Sequence, residues 1–181
     1  AEFTSDPMEL REALTNSLTV LGKTAFYDAL SEALDGVEKG SHSRRVVIVL
    51  SDGGDNASRI TFDELLKKVQ ASNVVIYTIA LIDPIELGHN AGALRQLSKV
   101  TGGLAFEPKT KAVIGKAFHA IAADIRSRYT LAYEPEDTSS GKVKGVRVLV
   151  ATPDHKDVKV RTRTGYVAGS DASPSTALRP G

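Results

Sequence analysis

The stretch "RRVVIVLSDGGDNAS", residues 44–58, decides the fold class of this chain. Its segment RVVIVL, residues 45–50, is short and β-branched and lacks any polar alternation. Such a run predicts a strand that is buried on both faces of a parallel sheet. The acidic, glycine-rich loop that follows can either turn a corner or bring polar side chains to a ligand.

Helix and strand patterns alternate on both sides of this stretch. Continuously apolar runs predict further strands at 74–81 and 104–106. Apolar residues three or four apart predict helices at 8–21, 25–38, from Thr61 onward, at 93–101 and at 110–127. The expected buried faces comprise Leu10, Leu14, Leu18 and Leu21; Phe26, Leu30, Ala33 and Val37; Phe62, Leu65, Leu66 and Val69; and Val113, Ile114, Ala117, Phe118, Ile121 and Ile125. This order predicts an α/β fold, a partial doubly wound (Rossmann-like) parallel sheet with flanking helices.

Beyond residue 128 the pattern changes to period-two alternation. The segments 129–133, 145–151 and 157–167 predict strands with one wet face, and therefore a C-terminal antiparallel β extension. Residues 142–163 carry seven Lys/Arg and two Asp. The basic side chains are expected on a solvated strand face, and a surface for an acidic partner is the alternative.

Composition sets limits on domain organisation and on partners. We predict a flexible N-terminal stretch (1–7), an α/β domain (8–127), the β extension (128–167) and a disordered tail (168–181). A net charge of +1 gives no reason to expect nucleic acid, and no apolar run is long enough for membrane insertion. Cysteine is absent, which excludes disulfides and thiolate metal sites.

Two enzymatic interpretations find little support in the sequence. The tetrapeptide LGKT (21–24) ends like a phosphate-binding loop, but it follows a helical pattern instead of a strand, and Ser17 stands where the first glycine belongs. The chain has no G-x-S-x-G nucleophile motif. A hydrolase that uses a Ser/His pair or a metal-activated water remains the alternative function, and its candidate histidines are His42, His89, His119 and His155.

Thr24 and Asp52 are the candidate metal ligands. Asp52 follows the strand directly, and Thr24 precedes a helix, so both fall where open α/β sheets place their ligands. Oxygen donors of this kind suit a hard cation such as Mg²⁺. The same residues also suit ordinary structural roles, Thr24 as a helix N-cap and Asp52 as a turn residue.

An ordered series of motifs resembles the von Willebrand factor type A domain. The series is GKTAFYDAL (22–30), VVIVLSDGGDN (46–56), VVIYTIAL (74–81), LRQLSKVTGGLAF (94–106), IRSRYTLAYEPE (125–136) and VKVRTRTGYVA (158–168). It covers about residues 8 to 168 and is most similar to a bacterial branch whose C-terminal β segment ends in R-x-GY. The resemblance implies a protein-binding or adhesion module with no catalytic activity of its own, which is exported to the periplasm or the cell exterior.

The resemblance also implies a metal-ion-dependent adhesion site, to which a protein ligand binds. Thr24 matches the family's Thr and Asp52 matches its third-loop Asp, whereas the first element, D-x-S-x-S, occurs nowhere in the 181 residues. With this incomplete site, weak or absent Mg²⁺ binding is expected, because the ion dehydrates reluctantly.

The matched series begins at the family's fourth element, so we expect an N-terminally truncated domain. The family's strand order would then leave strand 45–50 at a sheet edge, and unpaired apolar edges pair with other chains. A homo-oligomer through this edge is therefore expected. A purely structural oligomerisation domain is a further alternative, distinguished by the absence of any ligand at the Asp52 end.

Overall fold

The computed structural model describes residues 3–16, 23–81, 88–131, 133, 142–151 and 160–167. Five helices are present in these ranges: α1 (Pro7–Asn16), α2 (Phe26–Glu38), α3 (Phe62–Ala71), α4 (Ala91–Thr101) and α5 (Lys111–Ser127). The same ranges contain five strands: β1 (Val46–Ser51), β2 (Val75–Ala80), β3 (Ala105–Phe106), β4 (Val143–Gly145) and β5 (Gly165–Val167).

The first three strands form a parallel sheet in the order β1-β2-β3, and helices cover both of its faces. On one face Val47 and Val49 of β1 pack in a core built with α2, α3 and α4. On the other face Tyr77 and Ile79 of β2 pack against Ala117 and Ile121 of α5. The predicted α/β fold with flanking helices is confirmed.

Local signals in the sequence explain where α3 and α4 begin and end. The predicted capping box of α3 is present: Glu64 donates its backbone N–H to the Thr61 hydroxyl, and Thr61 donates its own N–H to the Glu64 carboxylate. At the start of α4 the Asn90 side chain accepts a hydrogen bond from the Ala93 N–H. Gly102 ends α4 with a φ of +75°, a conformation that glycine adopts without a Cβ penalty.

Burial of β1 departs from the sequence prediction. The prediction that the strand is buried on both faces is wrong, because Ile48 is 43% exposed and Leu50 is 48% exposed. Both side chains lie on the α5 side of the sheet, where α5 covers β2 and no described residue covers this part of β1.

Several predicted helix faces also need correction. In α2 Phe26 and Leu30 are buried as predicted, but the third buried residue is Leu34, and Ala33 is exposed. In α5 the side chains of Val113 and Phe118 are 40% and 42% exposed, because the helix contacts the sheet mainly through Ala117 and Ile121. In α1 Leu10 is exposed; the side chain of Leu14 and residues 18 and 21 lie outside what the structure describes.

The C-terminal extension is confirmed as an antiparallel pair, but with different bounds. β4 pairs with β5 through Val143 with Val167 and Gly145 with Gly165. Described residues of 129–133 form no strand, and neither do residues 146–151, so these two strand predictions are wrong. Residues 157–159 and the predicted tail at 168–181 lie outside the described residues.

Arginine side chains attach the extension to the α/β unit. Arg163 donates to the carbonyls of Gln70 and Ser72 at the end of α3, at 3.1 and 2.7 Å. Arg161 donates to the Asp124 carboxylate of α5 and to the Gly102 carbonyl. Arg161 stays exposed, as predicted for the basic side chains, but Arg163 is partly buried, so the prediction of a solvated side chain is wrong for Arg163.

Candidate functional site

An open cleft lies at the carboxyl end of the parallel sheet. Its volume is about 130 Å³. Both predicted site residues line it, and the other lining residues are Gly54, Asp55, Asn56 and Gly88. Thr24 and Asp52 are 28 positions apart in the chain, and the fold brings them to one cleft.

Asp52 is held by its own loop and by the loop before α4. One carboxylate oxygen, Oδ1, accepts a hydrogen bond from the Gly54 N–H at 2.9 Å, and the Asp52 carbonyl accepts from the Asn90 N–H at 2.9 Å. No described residue donates to the second oxygen, Oδ2. Asp52 thus has a fixed backbone and one carboxylate oxygen available to a ligand.

The backbone of Thr24 is fixed by the Asp52 loop. Its N–H donates to Asn56 Oδ1 at 2.8 Å, and its carbonyl accepts from the Asn56 N–H at 2.9 Å and the Ala57 N–H at 3.2 Å. Within the described residues the Thr24 hydroxyl makes no hydrogen bond, and the residue is exposed. Thr24 is also not the N-cap of α2, because that position is Ala25, which has no capping side chain.

The Asp52 loop supplies the caps that α2 lacks. Asp55 Oδ1 accepts from the Tyr27 N–H at 3.1 Å, and Ser58 Oγ accepts from the Asp28 N–H at 3.0 Å. These residues satisfy backbone donors that a helix N-terminus leaves unpaired. In return the Asp28 carboxylate accepts from the Arg59 and Ile60 N–H groups, and the Arg59 N–H is the main cause that lowers the pKa of Asp28.

Sequence reasoning missed Asn56, Asp55 and Ser58. They join two loops that are about 30 residues apart, and a single sequence gives no direct signal of such a contact. The one available hint is composition, because short polar side chains such as Asp, Asn and Ser favour helix caps and turns. This composition predicts capping but not the identity of the capped helix.

Two glycines let the cleft loops approach each other. Gly53 has a φ of +78°, and a Cβ at this position would lie 2.4 Å from the Asn90 carbonyl oxygen. At Gly54 a Cβ would lie 2.9 Å from the Gly88 carbonyl oxygen. Larger residues at either position would force the 88–90 segment away from Asp52.

The donor set fits a hard cation only in part. Asp52 offers a carboxylate oxygen and Thr24 a hydroxyl, both of which Mg²⁺ accepts as ligands. The described ranges contain no group of three His, Cys, Asp or Glu residues that could hold a metal ion. A cation in this cleft would therefore keep most of its water ligands or take others from a bound partner.

The histidines do not form a site with these residues. His42 and Ser41 contact each other at 3.2 Å on an exposed loop, His89 and His119 are exposed, and His155 lies outside the described residues. Lys23 and Thr24 of the LGKT tetrapeptide are described, whereas residues 21 and 22 are not. These observations add no support to the hydrolase interpretation.

A parallel α/β sheet with polar loops at the carboxyl ends of its strands defines a Rossmann-like ligand-binding module. Residues 1–120 match the family model of the von Willebrand factor type A domain. The chain therefore belongs to that family, which makes it a module of the protein-interaction and adhesion type.

Comparisons with solved structures and with curated proteins add no further assignment. A crystal structure of an uncharacterized membrane spanning protein from Vibrio fischeri is 22% identical and aligns over 66% of this chain and 67% of that chain, with a TM-score of 0.40. No curated protein matches the chain. In the part of the chain that the structure describes, no helix has the length and apolarity needed to cross a membrane.

Proposed function

We propose that this chain binds a protein ligand at the Asp52 end of the sheet, by way of a divalent cation that Thr24 and Asp52 hold weakly. One observation carries the proposal: the two residues reach a single open cleft with a hydroxyl and a carboxylate oxygen that no described residue engages. The wall of the cleft is fixed by hydrogen bonds to the backbone groups of Thr24 and Asp52, so the oxygen ligands are positioned before any cation arrives.

The chemistry of the cleft indicates the kind of ligand. Mg²⁺ takes six oxygen ligands, and the chain supplies two of them. A carboxylate from an Asp or Glu of the ligand protein would serve as a third and would add charge complementarity. The cation supplies this bridge, while the chain's own residues position it and set its affinity. As a protein-binding module, the chain would act in the periplasm or at the cell exterior.

Self-association is the second part of the proposal. β1 is an edge strand of the described sheet, and the side chains of its residues Ile48 and Leu50 are exposed. Unpaired edges with apolar side chains favour pairing with another strand. We therefore expect a homo-oligomer that forms through the 45–50 edge.

Calorimetric titration with Mg²⁺ and with Mn²⁺ tests the cation site. We expect weak, saturable binding to the chain that Asp52→Asn abolishes and Thr24→Val weakens. Asp35→Asn is the matched control, because Asp35 lies near the far end of α2, where it pairs with Lys68. The cation site would be refuted if the unmodified chain gave no heat of binding, or if all variants gave the same heat of binding.

Nuclear magnetic resonance with acetate as the simplest carboxylate probe tests the bridging role. With Mg²⁺ present, acetate should shift the amide signals of Gly53, Gly54 and Asn56, which border the cleft. Without the cation the same acetate concentration should leave them unchanged. Shifts that do not depend on the cation would indicate direct anion binding instead.

A further inference from the structure

The segment 160–165 of the extension lies across the end of α4 in direct backbone contact. A Cβ on Gly102, which ends α4, would lie 2.6 Å from the Thr162 carbonyl carbon. Close by, the Thr164 N–H donates to the Val100 carbonyl at 3.2 Å. The segment thus approaches the end of α4 to a distance that requires a residue without a Cβ at position 102.

Arg163 occupies the first of two arginine sites next to this segment. Its guanidinium donates to the carbonyls of Gln70 and Ser72 at 3.1 and 2.7 Å, and to Asn73 Oδ1 at 3.1 Å. A helix leaves its last carbonyls unpaired, and its dipole favours a cation there. A planar guanidinium serves several such acceptors at once, whereas an ammonium is a compact point charge. The end of α3 is therefore better suited to arginine than to lysine.

Arg161 occupies the second site, between the end of α4 and α5. Its Nε donates to the Gly102 carbonyl at 3.2 Å, and its Nη2 donates to the Asp124 carboxylate. Arg128 Nε and the Tyr77 hydroxyl donate to the same carboxylate, at 3.1 and 2.5 Å. The carboxylate is thus oriented by the end of α5 and by β2, and every group of this site except Arg161 comes from outside the extension.

The extension is attached through polar contacts and belongs to neither hydrophobic core. Within the described residues, the members of both cores end at Ile125. β4 and β5 form a sheet of their own, separate from the β1-β2-β3 sheet. Release of the segment would therefore leave both cores intact, and units of this kind open at a lower free energy than core elements.

We propose that the ends of α3 and α4, together with Asp124, form a binding site for an Arg-x-Arg peptide, which residues 161–163 occupy as a detachable ligand from the same chain. When the extension opens, the site can bind an Arg-x-Arg segment of another protein. The spacing follows from the contacts, because the two arginines reach separate sites while the backbone of Thr162 packs on Gly102. A peptide with adjacent arginines would fill one site and leave the other empty.

The attached segment competes with any free peptide for this site. A tethered ligand acts at an effective concentration in the millimolar range, so the unmodified chain should bind a free peptide weakly. The apparent dissociation constant rises as the fraction of open molecules falls. Substitutions that weaken the attached segment alone should therefore strengthen the binding of a free peptide.

Fluorescence anisotropy with a labelled peptide of residues 160–167, VRTRTGYV, tests this competition. The recipient is the full chain with Arg161→Ala and Arg163→Ala, in which the attached segment is weakened and the site is unchanged. This double variant should bind the peptide at least about 10-fold more tightly than the unmodified chain does. Arg147→Ala is the matched control, because it removes an exposed arginine of the extension and should leave binding as weak as in the unmodified chain.

Peptide variants separate the proposed contacts from charge alone. The peptide that carries Arg161→Ala and Arg163→Ala should not bind the double variant. The peptide that carries Arg161→Lys and Arg163→Lys should bind more weakly than VRTRTGYV, because lysine lacks the planar fork. The proposal is overturned if a double variant with unchanged circular dichroism binds no peptide, or if it binds VRTRTGYV and the alanine peptide equally.

Hydrogen exchange in the unmodified chain tests the detachment without any substitution. The Thr164 N–H reports on the bound segment, and the Thr78 N–H, which donates to the Leu104 carbonyl at 3.0 Å, reports on the sheet. The Thr164 amide should exchange at a lower opening free energy and with a smaller denaturant dependence, because local opening exposes less surface than global unfolding. Equal values for the two amides would show that the segment leaves only when the whole chain unfolds, which would also overturn the proposal.

Discussion

The Asp124 carboxylate forms hydrogen bonds with three other side chains. It accepts hydrogen bonds from the Tyr77 hydroxyl at 2.5 Å, from Arg128 Nε at 3.1 Å and from Arg161. Burial opposes the charge of Asp124, but the hydrogen bonds from Tyr77, Arg161 and Arg128 outweigh it, so its pKa lies below the ordinary value. Burial and the Asp124 hydrogen bond raise the pKa of Tyr77 to about 12.

The lowered pKa of Asp124 predicts a loss of stability in acid. The folded state favours the Asp124 carboxylate. The contribution of this carboxylate to the free energy of unfolding is therefore complete above the unfolded pKa of about 4, and it disappears as the pH falls through the lower folded pKa. We expect Asp124→Asn to lower the free energy of unfolding by about 1.5–3 kcal/mol at pH 7, and by less as the pH falls below about 4. Urea denaturation at a series of pH values measures both.

Asp35→Asn is the control for this measurement, because Asp35 is exposed and pairs with Lys68 on the surface. It should change the free energy of unfolding by less than about 1 kcal/mol at any of these pH values. A cost of Asp124→Asn that stays constant from pH 7 to acid would contradict the assignment.

Arg163 acts through geometry more than through charge. Its guanidinium donates to the carbonyls of Gln70, Ser72 and Gly165 and to the Asn73 side chain. Burial lowers the pKa of Arg163. The side chain thus satisfies carbonyls at the end of α3, where the helix dipole also favours a cation.

Arg163→Lys should therefore not behave as a conservative change. A lysine keeps the charge but has neither the fork nor the reach to serve four acceptors. We expect it to lower the free energy of unfolding by about 1–3 kcal/mol, because buried carbonyls lose their donors. Arg147→Lys, at an exposed position of the extension, should have little effect in the same urea denaturation series.

At the scale of elements, local sequence signals predicted the helices better than the strands of the extension. The capping box at Thr61 and the glycine pair at 102–103 act within a few residues. α3 begins at the capping box, and α4 ends at the glycine pair. Residues 146–151 alternate as a strand should but form none. A strand needs a partner in the right place, and alternation along one chain segment does not supply it.

The same limit explains the error at Arg163. Residues 160–163 form no strand, so alternation along the sequence could not decide which of their side chains lie outside. The helix ends of α3 and α4 offer carbonyl acceptors to the arginines, and Val160 is 40% exposed instead. Tertiary acceptors overrode the expectation that charged faces are solvated.

Gly103, just after α4, and Gly115, inside α5, should respond to alanine in opposite directions. A Cβ at Gly103 would lie 1.9 Å from the Ile76 carbonyl oxygen, so Gly103→Ala must displace the backbone of β2. At Gly115, inside α5, a Cβ would meet no atom within 4 Å. Thermal unfolding should show a clear loss for Gly103→Ala and a gain of about 0.5–1 kcal/mol for Gly115→Ala. A loss in both would mean that the surroundings of α5 differ from those described.

At the scale of the whole molecule, the candidate cleft was predictable in position but not in detail. The rule that ligands bind beyond the carboxyl ends of parallel strands placed Asp52 and Thr24 at the same end of the sheet. Their roles as metal ligands stay predictions. The loop contacts through Asn56, Asp55 and Ser58 connect segments distant in sequence, and only the assembled fold reveals them.

The two ends of the sheet are organised by different interactions. The cleft lies beyond the carboxyl end of β1, and its loops are joined by backbone and short polar side-chain hydrogen bonds. At the amino end of β2, Arg163 holds the extension against the end of α3. β1 and β2 each have six residues, so roughly 20 Å separates the two ends.

Because of this separation, substitutions at opposite ends of the sheet should have additive effects on the free energy of unfolding. Substitutions at the same end should have coupled effects. Sites more than about 10 Å apart without shared partners usually add within about 0.5 kcal/mol. Asp52→Asn and Arg163→Lys should therefore have additive effects on the free energy of unfolding. Asp124→Asn and Arg161→Gln remove two ends of one hydrogen bond, so their double variant should deviate from additivity by about 0.5–3 kcal/mol. Two urea-denaturation cycles measure both values, and coupling between Asp52 and Arg163 as large as that between Asp124 and Arg161 would show that the ends do not act independently.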